Sequence, residues 1–336
     1  MKEIDIVILW VDGNDLAWRN EFDKYNKGAT GDARSIRFRD WETLKYIFRG
    51  IESFAPWVRK VHLVTWGHLP KWLDQKAKKL SIVRHDNYIE KRYLPIFNAN
   101  PLEISLHRIP DLAESFIFFN DDFFLVAPVC PERFFKNGLP RDAFVSNAIS
   151  SGQGVGHFVL NSLDILNHHF KKGETFRRYF FRVFHPLNGL RGNFQNLALL
   201  PWPRFTGFVD PHQPQPFLRS TFEEVWRLEG EALEKTMKSR FRSCEDLNQY
   251  LFRYWQLAKG EFEPVSFSDT RYITLSHEII ESGEAEKIIT EGQYKMLCLN
   301  DSDTIADGEP FEKAKERIKS AFERLLPKPS SFEVVP

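Results

Sequence analysis

Cysteine is scarce. The three present, Cys130, Cys244 and Cys298, are too scattered for a disulfide framework, and no Cys/His cluster has zinc-site spacing. Net charge is missing as well, because 46 Lys plus Arg balance 46 Asp plus Glu. Nucleic-acid binders usually carry a basic excess, so nucleic acid is not expected as a partner, although a local basic pocket stays open. No apolar run approaches the roughly 18 residues of a transmembrane helix. The opening Met-Lys-Glu-Ile-Asp and the short apolar stretch from Ile6 to Val11 do not make a signal peptide. The expected location is cytoplasmic, with peripheral attachment at the inner face of the membrane left open. There is no Gly-x-x-x-x-Gly-Lys-Ser/Thr loop and no Gly-x-Ser-x-Gly elbow, which argues against P-loop ATPases and α/β-hydrolases.

What is present describes a globular enzyme-sized chain. Its 336 residues, 42% apolar and 27% charged, suit one large domain or two connected ones, not a disordered chain. Aromatics reach 15%, with 31 Phe and 9 Trp, enough for a large core and for rings that floor a sugar or nucleoside site.

Ile4 to Val11, broken only by Asp5, reads as a buried parallel strand, and Asn14 or Asp15 can cap the helix after it. Residues 27–38 read as a loop. Asp40 is then expected to cap a helix through Phe54, with Leu44, Ile47, Phe48 and Ile51 on one face. Strands follow at Val58 to Thr65, Ser81 to Arg84 and Phe116 to Phe119, with a helix from Pro101 to Leu112 before the last. This alternation predicts an α/β fold with a mostly parallel sheet in residues 1–149. A Gly-containing stretch around Gly152, Gly154 and Gly156 opens a mostly helical insertion, 150–262, interrupted by the irregular Pro201 to Arg219. Residues 263–310 return to the core sheet through strands at Arg271 to Leu275 and Tyr294 to Leu299. Residues 311–336 supply a closing helix and a loose tail.

In a parallel α/β sheet, ligands bind beyond the carboxyl ends of the strands. Acid clusters end three of the expected strands: Asp12 and Asp15, Asp121 and Asp122, Asp301 and Asp303. Each alone could cap a helix. Gathered at one rim they repel, at about 4 kcal/mol for two charges ~4 Å apart near a protein surface. A cation or a bound proton relieves that, and oxygen-only ligands favour Mg²⁺ or Mn²⁺ shared with a phosphate. Arg37, Arg39, Arg240 and Arg242 offer forks for phosphate oxygens. His212, in Asp210-Pro211-His212-Gln213-Pro214, sits on a stiff loop and is a candidate general base.

Taken in combination, these segments resemble the Stealth family, which comprises capsular and exopolysaccharide phosphotransferases and the catalytic part of the animal GlcNAc-1-phosphotransferase. The first block is Ile4-Asp5-Ile6-Val7 with Trp10-Val11-Asp12-Gly13-Asn14-Asp15. The second runs from Arg37-Phe38-Arg39-Asp40 through Ala55-Pro56-Trp57-Val58 and Leu106-His107-Arg108-Ile109-Pro110 to Phe119-Asn120-Asp121-Asp122-Phe123. The third joins His212-Gln213-Pro214 to Ser239-Arg240-Phe241-Arg242-Ser243 and Glu245-Asp246-Leu247-Asn248, and the fourth is Lys295 to Asp301. Trp66-Gly67-His68 departs from the family's more usual polar Gly-Gln turn.

The resemblance implies a Rossmann-like core of the nucleotide-sugar transferase type. It implies transfer of a hexose or N-acetylhexosamine 1-phosphate from a nucleotide-diphosphate sugar, a UDP-sugar such as UDP-GlcNAc, to a hydroxyl of an oligosaccharide or polysaccharide acceptor, lipid-linked or free. The metal set would be Asp121, Asp122 and Asp301. The nucleotide-sugar would be held by Trp10, Asp12, Gly13, Arg39, Asp40, Asn120 and Asn300. His212 would take the acceptor's proton with Asp246 orienting it, Arg240 and Arg242 would offset charge on phosphorus, and Asp12 would share in catalysis. A metal-dependent glycosyltransferase and a non-catalytic carbohydrate-binding protein remain as alternatives, and a homo-oligomer is compatible with either.

Overall fold

A computed structural model describes residues 3–27, 39–149 and 156–334. The expected Arg37 and the glycines at 152 and 154 lie outside these residues. The first half contains β1 (Ile4–Leu9), α1 (Leu16–Asn26), α2 (Leu44–Phe54), β2 (Val61–Thr65), β3 (Leu80–Arg84), α3 (Ala99–Ile104), β4 (Ser115–Phe119), β5 (Phe123–Leu125), β6 (Phe135–Lys136) and β7 (Leu139–Asp142). Four helices follow: α4 (Gly156–His169), α5 (Lys172–Arg178), α6 (Phe180–Val183) and α7 (Gly189–Ala198). Then come β8 (Gln215–Leu218), α8 (Arg219–Met237), α9 (Tyr250–Lys259), β9 (Glu263–Pro264), β10 (Thr270–Leu275), α10 (His277–Glu281), α11 (Glu284–Thr290), β11 (Met296–Asp301) and α12 (Glu309–Leu325).

The main sheet has the order β3-β2-β1-β4-β8, with the first four strands parallel and β8 antiparallel at the edge. Alternation along β1 splits its apolar side chains between two cores. Ile6 and Ile8 join Ile47, Phe48 and Ile51 of α2 and Ile318 and Phe322 of α12. Val7 joins Phe116 and Phe118 of β4 against Phe222, Leu251 and Trp255 of α8 and α9. Asp5, the polar interruption in β1, is fully buried at the other end of the strand. Burial alone would raise its carboxyl, but the Arg59 fork at 2.6 and 2.8 Å and His62 at 3.1 Å hold it below the usual range.

Several expectations need correction. Asp40 does not cap α2, which starts after Thr43; the Asp40 carboxylate instead accepts from the Glu42 N–H in the preceding turn. The stretch before Arg219 is not wholly irregular, because β8 lies in it and extends the main sheet. Pro216 is tolerated there because β8 pairs on one side only. The strands near 271 and 296 do not rejoin the main sheet. β10 and β11 pair with each other and with β5 in a separate three-stranded sheet. The tail is docked as well: Phe332 packs on Phe48, and Glu333 receives both arms of the buried Arg49 at 2.7 and 2.8 Å.

The fully buried Arg253 of α9 links the helical half to β7, which pairs with β6 and β9 outside the main sheet. Its guanidinium forks onto Asp142 at the end of β7, at 2.8 and 2.9 Å, and reaches Asp210 at 2.6 Å. Removing one partner of such a cluster strands the others. Arg253→Ala should therefore lower stability by about 3–5 kcal/mol, measurable as a fall in the urea midpoint; a loss within experimental error would show that the cluster does not hold the two halves together.

Candidate active site

The cleft opens where the parallel strands end. Trp10 follows β1, Val64 lies in β2, His85 follows β3 and Asn120-Asp121-Asp122 follow β4; Thr274, Leu275, Asn300 and Asp301 of β10 and β11 form the facing wall. Its volume is about 690 Å³, within the usual range for small-ligand sites. Residues after 156 close it, through Phe158, His212, Arg242, Asn248, Gln249 and Tyr250.

The turn carrying Asp121 and Asp122 is pinned between the two sheets. β4 enters it, β5 leaves it to pair with β11, and the Asp122 carbonyl accepts from Leu299 N–H at 2.9 Å. One Asp122 carboxylate oxygen, Oδ2, lies 3.4 Å from His212 Nε2 and accepts from the buried Cys298 thiol at 3.3 Å. The other, Oδ1, is buried with no hydrogen-bond partner in the protein. Asp122, His212 and Cys298 thus bring ligand-type atoms within 4.8 Å of one another. Asp121 projects into the cleft beside them. It is exposed in the cleft, and the protein around it together with repulsion from Asp122 and Asp40 pushes its carboxyl up. Burial, with repulsion from Asp12, raises Asp40 to about 6. An orphaned carboxylate oxygen beside crowded acids is the environment that a hard divalent cation satisfies.

His212 is held on several sides. Asp210, two residues earlier, is clamped by Arg253 and accepts from the Tyr254 hydroxyl. The imidazole sits edge to face against Phe123 and Tyr272, at 5.0 and 5.7 Å between centroids. Opposite lies the buried Glu103. Burial raises its carboxyl, and the nearby Arg242 pulls it back.

Two segments match family models: residues 2–29 match Stealth protein CR1, conserved region 1, and residues 37–142 match Stealth protein CR2, conserved region 2. The chain is 40% identical, over 99% of its length and 100% of the relative, to the receptor polysaccharide phosphotransferase WefC of Streptococcus oralis. The chain belongs to the Stealth family of polysaccharide phosphotransferases. Two further relatives, each 38% identical, are the capsular polysaccharide phosphotransferase WcwK of Streptococcus pneumoniae, over 99% of this chain and 100% of the relative, and the exopolysaccharide phosphotransferase cps2G of Lactiplantibacillus plantarum, over 98% and 96%.

Within this Stealth chain the expected site residues separate into two groups. Trp10, Arg39, Asp40, Asn120, Asp121, Asp122, His212, Arg242, Asn300 and Asp301 all line the cleft. Arg39 and Asp301, however, are spent on each other: the Arg39 fork takes both Asp301 oxygens at 2.6 and 2.8 Å and also binds Ser302 and Ile305 carbonyls. They brace the end of β11, so Asp301 is not a free metal ligand and Arg39 is not a free phosphate fork. Asp12, Gly13, Arg240 and Asp246 are not among the lining residues. Asp12 accepts from Asn14 N–H, and the Gly13 carbonyl accepts from Arg19. Arg240 donates to the Pro95 carbonyl and stacks over Tyr25 at 4.3 Å. Asp246 is buried beneath the site, where one oxygen accepts from Asn98, Asn100 and Ser243 N–H. The carboxylate facing His212 is therefore that of Asp122, not Asp246.

Sequence reading missed Glu103, Cys298 and His68. Cys298 lies in an apolar strand and gave no polar signal. His68 accepts from the Asp12 N–H at 2.7 Å and packs against Trp10; the unusual Trp66-Gly67-His68 turn was its only mark.

The raised carboxyls predict a pH signature. Without metal, the folded chain keeps protons on Asp40 and Asp121 that the unfolded chain loses near its ordinary value of 3.8. Stability from these groups is complete at low pH and is lost as pH rises above 3.8 through about 6 for Asp40; the raised carboxyl of Asp121, exposed in the cleft, adds a loss of the same sign. Asp210, raised to about 6 mainly by burial, adds a loss of the same sign. Urea unfolding in EDTA should show stability falling across this window, with a shallower fall in Asp121→Asn. Parallel curves for the two proteins would show that Asp121 titrates normally.

Proposed function

We propose that this chain transfers a sugar 1-phosphate from a nucleotide-diphosphate sugar, with UDP-GlcNAc-type donors the first to test, to a hydroxyl of a growing oligosaccharide or polysaccharide, free or lipid-linked. The observation that carries this reading is the buried, unpartnered Oδ1 of Asp122, set beside Asp121 and on the same carboxylate that faces His212. Asp121 and Asp122 Oδ1 would hold Mg²⁺ or Mn²⁺, whose chemistry there is to neutralise charge on the donor's diphosphate.

The protein's own part is positioning and proton transfer. Nε2 of His212 lies 3.4 Å from Asp122, and in the tautomer protonated at Nε2 the lone pair on Nδ1 would accept the acceptor hydroxyl's proton. The acceptor oxygen then bonds to the sugar-side phosphorus. The bond from that phosphorus to the bridging oxygen breaks, and the nucleoside monophosphate leaves with the electron pair. Arg242, in the same cleft, offsets negative charge on the phosphoryl oxygens. Trp10 and Asn120 face the donor, and the sugar keeps its C1–O bond throughout.

A donor labelled with ³²P on the sugar-side phosphate tests this directly. Label should move into the glycan with release of nucleoside monophosphate. Label left entirely in nucleoside diphosphate would instead establish attack at the sugar carbon, the glycosyltransferase outcome. His212→Ala should slow labelled transfer by about 10²–10⁴-fold while donor affinity changes little; loss of donor binding instead would move His212 to the nucleotide site.

A further inference from the structure

Away from the cleft, α7 is turned against the usual amphipathic rule. Leu190, Phe194 and Leu197, spaced to share one helix face, point outward and are 94%, 68% and 58% exposed. The opposite face, with Gly192 and Asn196, is buried. This rotation is built in. A Cβ on Gly192 would come within 2.9 Å of Val145. Asn196 accepts from Ser146 N–H and donates to the Phe144 and Val183 carbonyls, at 2.7 to 2.8 Å.

The apolar face extends beyond one helix. Phe180 and Phe181 of α6 are exposed, and α6 is tied to α7 through the Val183 carbonyl. Trp202 is exposed too, and Lys172 of α5 donates to the Leu199 and Trp202 carbonyls, bringing this turn against the start of α5. None of these residues lines the cleft.

Charge says what this face fits. The segment from Lys171 to Arg204 contains a single acid, Glu174, although the chain as a whole has no net charge. Lys172 and Arg182 are used internally, the latter on Gly260 and Glu263. Lys171, Arg177, Arg178, Arg191 and Arg204 remain at the surface around the exposed Phe, Leu and Trp side chains. A second copy of the same face would set these cations against one another. An anionic bilayer offers opposite charge and an apolar layer at the depth of short aromatic side chains. Among the described residues no helix is long and apolar enough to cross a membrane, so contact through this face would be peripheral.

We propose that the α5–α7 face docks the protein onto an anionic lipid surface, with Phe181, Leu190, Phe194 and Trp202 entering the headgroup region and Arg177, Arg178, Arg191 and Arg204 engaging lipid phosphates. This goes beyond the phosphotransfer reading and does not depend on it. The test is co-sedimentation of the full chain with vesicles of phosphatidylcholine alone or mixed with phosphatidylglycerol, over a salt series. Binding is expected only to the mixed vesicles, weakening as salt rises. The triple variant Phe181→Ser, Leu190→Ser, Phe194→Ser should bind at least about tenfold more weakly with an unchanged thermal unfolding midpoint. Changing the four arginines to Gln should remove the preference for phosphatidylglycerol. Failure of the wild type to bind mixed vesicles, or equal binding by the triple variant, overturns the proposal. So does a wild-type dimer without vesicle binding that the triple variant converts to monomer, which would assign the face to a second copy.

Discussion

The fully buried guanidinium of Arg253 is the charged link between the helical segment and the loop that carries His212. Arg253 sits on a helix of the second half, and its carboxylate partners, Asp142 and Asp210, come from the first half and from the loop that carries His212. Charges removed this far from water are tolerable only when their hydrogen bonds are satisfied. Here the Arg253 forks, the Tyr254 hydroxyl and the Gln215 amide supply them. Because Asp210 is clamped, Pro211 and His212 have little freedom, and the imidazole meets the Asp122 carboxylate at 3.4 Å. That clamp fixes the loop which brings His212 to the cleft.

The cleft is built from groups that oppose each other's ionisation. Asp121, Asp122 and Asp40 approach one another at the end of the cleft where the parallel strands stop, and one Asp122 oxygen there has no hydrogen-bond partner. Folding alone does not favour such crowding; two of these carboxyls hold on to protons instead. Arg39 and Asp301 show the contrasting case. Their charges cancel within the protein, and they serve to brace β11 beside the site. The acids left uncompensated therefore mark where a positively charged ligand is needed, and the neutralised ones mark the supporting wall.

The sequence makes the elements legible more readily than their partners. The apolar run of β1, the Asp15 cap that receives Trp18 N–H, and the Phe-rich β4 all carry local signals, and so does the acid pair that ends β4. β8 is hidden because Pro214 before it and Pro216 within it resemble a loop, and only its place at the sheet edge makes Pro216 acceptable. The pairing of β10 and β11 with β5 rather than the main sheet has no local signature either, since both arrangements bury the same apolar residues. In the site, residue type pointed to Asp121, Asp122, His212 and Arg242. Function by residue type failed where a distant partner decides. Asp301 meets Arg39 across 262 positions, and Asp246 meets Asn98 across 148, pairings with no local mark in the sequence.

On the function proposed above, Asp121 and Asp122 hold a divalent cation that receives the donor's phosphates. Electron paramagnetic resonance of Mn²⁺ with the protein and a UDP-sugar reads both halves of this: ³¹P hyperfine coupling reports phosphate oxygen on the ion, and a spectrum altered from that of the ion with free donor reports the protein's carboxylates on it. The spectrum of the wild-type protein should differ from those of the aqueous ion and of the ion with free donor, carry ³¹P coupling, and revert toward them in Asp122→Asn. A wild-type spectrum indistinguishable from that of Mn²⁺ with donor and no protein would contradict the assignment.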